Sequence, residues 1–288
     1  MLKYNNRSNS PIFIGGLFKS GTSLLRAMLG NHSRIFSGLE TWWFSVDWEN
    51  GRGPHGEPIN QYFNRLAKFY DIEEALVQEW GQNSINIQEF ISEMLNYCAK
   101  TAGKSRWAEK TPGNICHLDR IYSSWSDARV LHILRDPKDV LASLRQIGKW
   151  DQPTNFAERW CAFLPRVASF RNAGVIKDGN FLEIRYESLV TDPKVSIRSV
   201  LEFLEEPWEE AVAEFNGKKG DFQKVLEITG KESNTLERLE RPLTQNRIGI
   251  WRDILSNKDI ESMRASIAAL GYANLLASIE ADTHERGF

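Results

Sequence analysis

Apolar runs and helical stripes alternate along this chain. Residues 11–17 (PIFIGGL) form a continuous apolar run ending in glycines, and from Thr22 to Gly30 the residues Leu24, Leu25, Met28 and Leu29 recur at helical spacing. The pattern predicts a strand, a loop and a helix. A second apolar run, Val130 to Leu134, leads into Arg135 and then Asp136-Pro137, an aspartate suited to cap a helix and a proline suited to its first turn. A third, Phe181 to Ile184, precedes RYESLVTDP, in which Asp192-Pro193 opens a helix expected to carry Val195, Val200, Leu201 and Leu204 on one apolar face. Strands separated by helices in this way imply parallel βαβ units, with ligands bound beyond the carboxyl ends of the strands. The expected fold class is therefore α/β, a P-loop-like parallel sheet flanked by helices.

Residues 42–104 are mostly of helical pattern, most plainly from Ile87 to Ala102, and read as a helical insertion. Trp42, Trp43 and Trp48 stand just before the Gly/Pro-rich stretch GRGPHGEP; they read first as core and second as an acceptor pocket. No Pro/Ser-rich linker divides the chain, so residues 1–288 are expected to form one domain carrying that insertion.

Composition adds bounds. With 41% hydrophobic and 26% charged residues, the chain of 288 residues can bury a sizeable core. A net charge of −2 gives no sign of nucleic-acid binding, yet leaves room for local basic patches that hold phosphates. Cys98, Cys116 and Cys161 are odd in number and contain no CxxC pair, which suits a reducing compartment, each being expected as a small buried residue. The five histidines lack metal-ligand spacing, so no metal is expected. The N-terminal MLKYNNRSNS has no apolar signal-peptide core and no run approaches a membrane span, which points to the cytoplasm.

The chemistry concentrates after the first two strands. In Gly15-Gly16-Leu17-Phe18-Lys19-Ser20-Gly21-Thr22-Ser23, backbone N–H groups and a helix N-terminus can cradle a phosphate. A Walker A loop would need lysine where Thr22 stands; here Lys19 is displaced into the loop. A lysine before Gly-Thr-Ser can neutralise a 5′-phosphate, and the hydroxyls of Ser20, Thr22 and Ser23 can add donors. Arg135 and Ser143 lie eight residues apart, and Ser143 falls about two turns along the helix that starts near 137. Two phosphate sites on two βα units suit a nucleotide phosphorylated at both ends, although Arg135 alone could equally form an ion pair with Asp136 or Asp139.

These residues match a known family. KSGTSLLRAMLGNH resembles the 5′-phosphosulfate loop of sulfotransferases that use 3′-phosphoadenosine-5′-phosphosulfate (PAPS), and ILRDPKDVLASLR resembles their 3′-phosphate motif. The resemblance continues in order through WAEKTP (107–112), RYESLVTDP (185–193) and IGIWRDILS (248–256), covering roughly residues 11–256. It implies that Lys19, Ser20, Gly21, Thr22 and Ser23 hold the 5′ end of PAPS, that Arg135 and Ser143 hold the 3′-phosphate, and that Tyr186 touches the nucleotide. In the similar tyrosylprotein sulfotransferases a glutamate shortly after the first helix is the general base, which implies that role for Glu40; Lys110 likewise resembles a lysine near the transferred sulfuryl group. Those enzymes carry arginine where this chain has Lys19, a second glutamate where it has Leu39, and a membrane anchor, so tyrosine sulfation is not implied. The pattern is closer to the broad bacterial-type sulfotransferases, whose acceptors are diverse; carbohydrate, lipid, peptide and small-metabolite acceptors all stay open for this chain.

Two rivals stay open at the level of sequence. A P-loop kinase would use ATP with a Walker lysine and a Mg²⁺ carboxylate, for which Asp136 is available. A non-catalytic nucleotide-binding module would keep Lys19, Arg135 and Ser143 without needing Glu40 or Lys110. Should Glu40 not be the base, His32 is the next choice.

Overall fold

The protein is described here by a computed structural model covering residues 9–285. Residues 1–8, on which the signal-peptide reading partly rests, lie outside the described residues. Five parallel strands form one sheet: β1 (Ile12–Gly16), β2 (Ile35–Ser37), β3 (Arg106–Lys110), β4 (Arg129–Leu134) and β5 (Phe181–Arg185), in the order β2-β3-β1-β4-β5. The connection from β1 runs toward β2 on one side, and that from β4 runs toward β5 on the other. The loops leaving β1 and β4 therefore flank a crevice at the carboxyl edge, the place where open α/β sheets take ligands. Gly16 and Ile133 stand opposite each other in register there.

Helix α1 (Thr22–Leu29) follows β1, and the insertion supplies α2 (Ile59–Tyr70), α3 (Glu74–Asn83) and α4 (Ile87–Thr101). Helix α5 (Leu118–Ser124) leads into β4, after which come α6 (Pro137–Arg145) and α7 (Pro153–Asn172). Beyond β5 the chain forms α8 (Tyr186–Thr191), α9 (Pro193–Leu204), α10 (Glu210–Ala213), α11 (Asp221–Thr229), α12 (Asn234–Leu239), α13 (Trp251–Ile254), α14 (Asn257–Ala269) and α15 (Ala273–Glu285). Among the described residues no helix is long and apolar enough to cross a membrane.

Every residue of β1 is buried, so its alternating side chains feed two layers. Ile12 and Ile14 pack with Leu25, Met28 and Leu29 of α1 and with Val200 and Leu204 of α9. Phe13 points the other way into a layer built by the insertion, with Phe90 and Met94 of α4 and with Trp43. It meets Trp107 edge-on at 5.6 Å and Trp125 at 4.9 Å. The insertion is thus continuous with the sheet's own core. Each such buried aromatic or aliphatic side chain contributes roughly 1.5–3 kcal/mol over an exposed one.

Three expectations need correction. Val195 is 63% exposed, and Ile197 instead joins Val200, Leu201 and Leu204 on the buried face of α9. Val195 sits in the first turn, where the Asp192 side chain accepts its backbone N–H, and that turn projects beyond the core. Of the cysteines, Cys98 and Cys116 are buried free thiols as expected, whereas Cys161 is only half-buried. The tryptophans do not act as one cluster. Trp43 is core, its indole N–H donating to Asn114 Oδ1 at 3.0 Å, and Trp48 packs against Phe63 and Phe90, but Trp42 borders the cavity at the sheet edge.

Candidate active site

A cavity of about 1280 Å³ opens at the carboxyl edge, and residues from the loops after β1, β2, β3 and β4 border it together with α8 and the segment 228–247. The β1 loop turns sharply into α1. Gly21, the residue before that helix, has φ 104, and a Cβ there would come within 2.5 Å of the Tyr186 ring. Only glycine meets both demands. Lacking a side chain, Gly21 offers no cap to the first-turn N–H groups of α1, while Gly21, Thr22 and Ser23 border the cavity. Ser20 is buried within the turn and is not among the cavity residues.

Tyr186 joins the loops that follow β1 and β4. One side of its ring meets Gly21, and the Arg135 guanidinium lies over it at 4.4 Å. Arg135 donates to the backbone carbonyls of Lys19 (2.9 Å) and Arg247. Its ion pair with Asp139 is present but long, 3.7 Å, because the Asp139 carboxylate is occupied by the N–H groups of Gly249 and Trp251. Nε of Arg135 is buried with no hydrogen-bond partner. Ser143 sits on α6 as the spacing predicts, and its hydroxyl accepts from Arg247 at 3.3 Å.

Arg247 went unnoticed in the sequence, although it stands one residue before the matched tail motif. It belongs to a group of cations that the tertiary structure assembles. Burial together with Arg238 and Arg135 pulls its guanidinium down to about 10. Lys19 donates to Thr235 Oγ1 at 2.7 Å, and burial with Arg238, Lys149 and Arg247 lowers its ammonium to about 8, Glu40 opposing. Thr235, Arg238 and Lys149 carried no sequence signal. Charges of one sign held this close disfavour themselves, and an anion relieves them.

The third group is Glu40, Lys110 and Ser23. Lys110, at the end of β3, is buried; it donates to Glu40 Oε1 and to Ser23 Oγ, the latter at 3.1 Å. Burial lowers the Lys110 ammonium, and Glu40 counteracts this. Glu40 borders the cavity with its side chain 29% exposed. What holds it there is Glu109, a fully buried carboxylate that accepts from Thr41 Oγ1 (2.9 Å), Thr111 Oγ1 (2.6 Å) and Asn114 Nδ2 (2.6 Å). Burial raises the Glu109 carboxyl and these donors lower it. Glu109 thereby clamps the backbone just after Glu40, at Thr41, to the β3 end, and it too was missed by sequence reading.

Neither fallback residue reaches the cavity. His32 is fully buried, with Nε2 3.0 Å from the Pro207 carbonyl and Nδ1 accepting from the Arg34 N–H, so it is unsuited to act as a base. Asp136 caps α6 by accepting from the Lys138 N–H at 2.8 Å and is not among the cavity residues, which removes the carboxylate that a Mg²⁺-dependent kinase would need at this strand.

A family profile described as "Sulfotransferase family" matches residues 11–210. An uncharacterized protein of Aquifex aeolicus (strain VF5) is 25% identical over 229 residues, which are 72% of this chain and 27% of that protein. The chain therefore spans about a quarter of that relative's length. Protein-tyrosine sulfotransferase A of Caenorhabditis elegans is 24% identical over 284 residues, 93% of this chain and 68% of the relative. Among solved structures, the sulfotransferase domain from the curacin biosynthetic pathway superposes with a TM-score of 0.67 at 17% identity, covering 93% of this chain and 99% of its own. The sulfotransferase domain from the Synechococcus PCC 7002 olefin synthase gives 0.65 at 19% identity, covering 93% and 97%. At these identities the structural likeness is one of fold.

Proposed function

The chain belongs to the sulfotransferase family, and from that premise we propose that it transfers a sulfuryl group from PAPS to a hydroxyl or amine acceptor. The observation that carries the reading is the cation set at the β1/β4 crevice, where Lys19, Arg135 and Arg247 converge and the buried Nε of Arg135 lacks a partner. These residues fit a nucleotide with a phosphate at each end. The uncapped α1 terminus with Lys19 and Thr22 would hold the 5′ end, and Arg135, Ser143 and Arg247 the 3′-phosphate, with Tyr186 between them.

PAPS would supply the sulfuryl group and a phosphate leaving group; the protein's part is positioning and charge. Lys19 holds a cation where the leaving phosphate gathers negative charge. Glu40 takes the acceptor proton, and the hydrogen bond from Lys110 orients it toward that task. Once Glu40 is protonated, the Lys110 ammonium is released from its ion pair, and its charge becomes available to the group in transfer. A bare nucleotide-binding module has no use for Glu40, Lys110 and the Glu109 clamp together.

The direct experiment is a thermal-shift comparison of 3′-phosphoadenosine-5′-phosphate (PAP) with Mg-ATP. PAP should raise Tm by the linkage of ligand to the folded state, and Mg-ATP much less. Activity should survive EDTA, since lysines carry the charge; abolition with restoration by Mg²⁺ would return the kinase reading.

Arg135 should select for the 3′-phosphate, because a site built with such donors leaves them unpaired when that group is missing. Adenosine 5′-phosphosulfate is expected to bind worse than PAPS by about 2–3 kcal/mol, the scale of charge-assisted hydrogen bonds. In Arg135→Ala the two nucleotides should become more alike; an unchanged preference measured by competition would take Arg135 out of the site.

A further inference from the structure

We propose that Phe18, Trp42, His55 and Trp150 form the acceptor subsite, and that the acceptor is a flat aryl compound carrying the reacting hydroxyl. The inference rests on the sulfotransferase reading and adds the acceptor's chemical class to it.

The four rings are contiguous along the cavity. Phe18 and Trp42 stack at 6.0 Å and 24°, Phe18 meets Trp150 at 5.3 Å, and Trp42 meets His55 at 6.0 Å. Chain connectivity puts this wall at the reacting end of the site. Phe18 precedes Lys19, Trp42 lies two residues past Glu40, and Pro112, which also borders the cavity, lies two past Lys110. Arg135, Ser143 and Arg247 form a separate hydrogen-bonded group, joined to the β1 loop through the Lys19 carbonyl.

Backbone conformation supplies a second observation. Six described non-glycine residues have φ in the left-handed region: Lys19, Trp42, His55, Asp71, Trp150 and Glu205. Asp71 and Glu205 close helices α2 and α9, an ordinary use of that conformation. The other four all border the cavity, and three of them are wall rings, with φ 57 at Trp42, 64 at His55 and 46 at Trp150. Bulky residues persist in this region only where their surroundings over-determine them. Here the surroundings do so. The Trp42 N–H donates to Thr111 Oγ1, which donates to Glu109, and the Arg159 guanidinium backs the Trp150 ring at 4.1 Å.

A wall of pre-placed ring faces suits a planar apolar body. A saccharide would call for polar side chains to meet each of its hydroxyls, whereas the four rings of this wall offer only indole N–H and imidazole groups. An aliphatic alcohol would need no oriented rings.

The test is calorimetric titration of 2-naphthol into protein saturated with PAP, with cyclohexanol and glucose titrated in parallel. 2-Naphthol should bind the wild type and bind Trp42→Ala about tenfold or more weakly, on the scale of one lost stacking partner, while Trp42→Phe stays within a few fold. PAP affinity should be unchanged in both variants, which also reports that they fold; Phe18→Leu should weaken 2-naphthol in the same sense. Undiminished 2-naphthol binding in Trp42→Ala, or equal binding of cyclohexanol or glucose, would overturn the inference. PAP binding without 2-naphthol binding would overturn it and leave the sulfotransferase reading standing. Failure of the wild type to bind PAP would remove both.

Discussion

In Glu40→Gln, kcat should fall by roughly 10²- to 10⁴-fold while PAP binds with near wild-type affinity. Glutamine keeps the shape of the side chain and can still accept the Lys110 hydrogen bond through its amide oxygen, but it cannot take a proton. Glu40 lies outside the cation group that would hold the phosphates, so nucleotide affinity should not depend on it. The competing role for Glu40 is to orient Lys110, to which it is hydrogen-bonded. That role predicts a mild effect in the glutamine variant and a severe one in Glu40→Ala. Steady-state kinetics with a true acceptor, beside PAP titration of each variant, separates the two. Turnover by the glutamine variant within a few fold of wild type would move the base elsewhere.

Lys19→Ala should lower kcat by about 10²-fold or more, the loss expected when a charge-assisted donor to developing negative charge is removed. Lys19 also makes a pH prediction. Its ammonium is lowered to about 8 by burial and by Arg238, Lys149 and Arg247. Below that pH the group is charged and ready for phosphate; as pH rises through about 8 the ligand-free protein loses the proton. Both PAP affinity and kcat/KM should therefore decline on the alkaline side, since kcat/KM reports the free enzyme. Bound anion favours the ammonium, so kcat should hold to higher pH than kcat/KM. Lys19→Arg, charged throughout, should abolish the alkaline decline. A flat kcat/KM profile between about pH 7 and 9.5 in the wild type would show that Lys19 does not titrate there.

Motif chemistry was legible wherever local backbone geometry creates the function. The loop from Gly15 to Ser23 needs a strand end, a left-handed glycine and a helix start in immediate succession, and each of those leaves a residue-type signature. The β4 turn, with Arg135, the Asp136 cap and Pro137, reads the same way, and the helix it opens places Ser143 two turns along. Strand β1 was visible because it is apolar throughout, and β4 because only His132 interrupts the run from Val130 to Leu134.

Strand β3 was not visible by that rule. RWAEK is buried at all five positions, yet three of them are Arg106, Glu109 and Lys110. Arg106 is satisfied by Ser10, Leu204 and Glu206, and Lys110 by Ser23 and Glu40, all far away in the chain, while Glu109 takes Thr41 from afar and Thr111 and Asn114 from close by. A hydrophobic pattern cannot mark a strand whose polar groups are paid for by distant neighbours. The same holds for the cations around Lys19. Thr235, Arg238 and Arg247 lie more than two hundred residues along the chain, in a segment without recognisable motif, and only the folding of α11 and α12 across the sheet edge brings them in.

The sequence by itself determined the α/β class, the two phosphate-loop candidates and the family resemblance, because these depend on contacts within a few residues. Tertiary structure alone decided which tryptophan faces the cavity, which carboxylate clamps the Glu40 loop and how many cations share the crevice. Those depend on long-range packing and on electrostatic coupling between groups that are neighbours only in the folded chain.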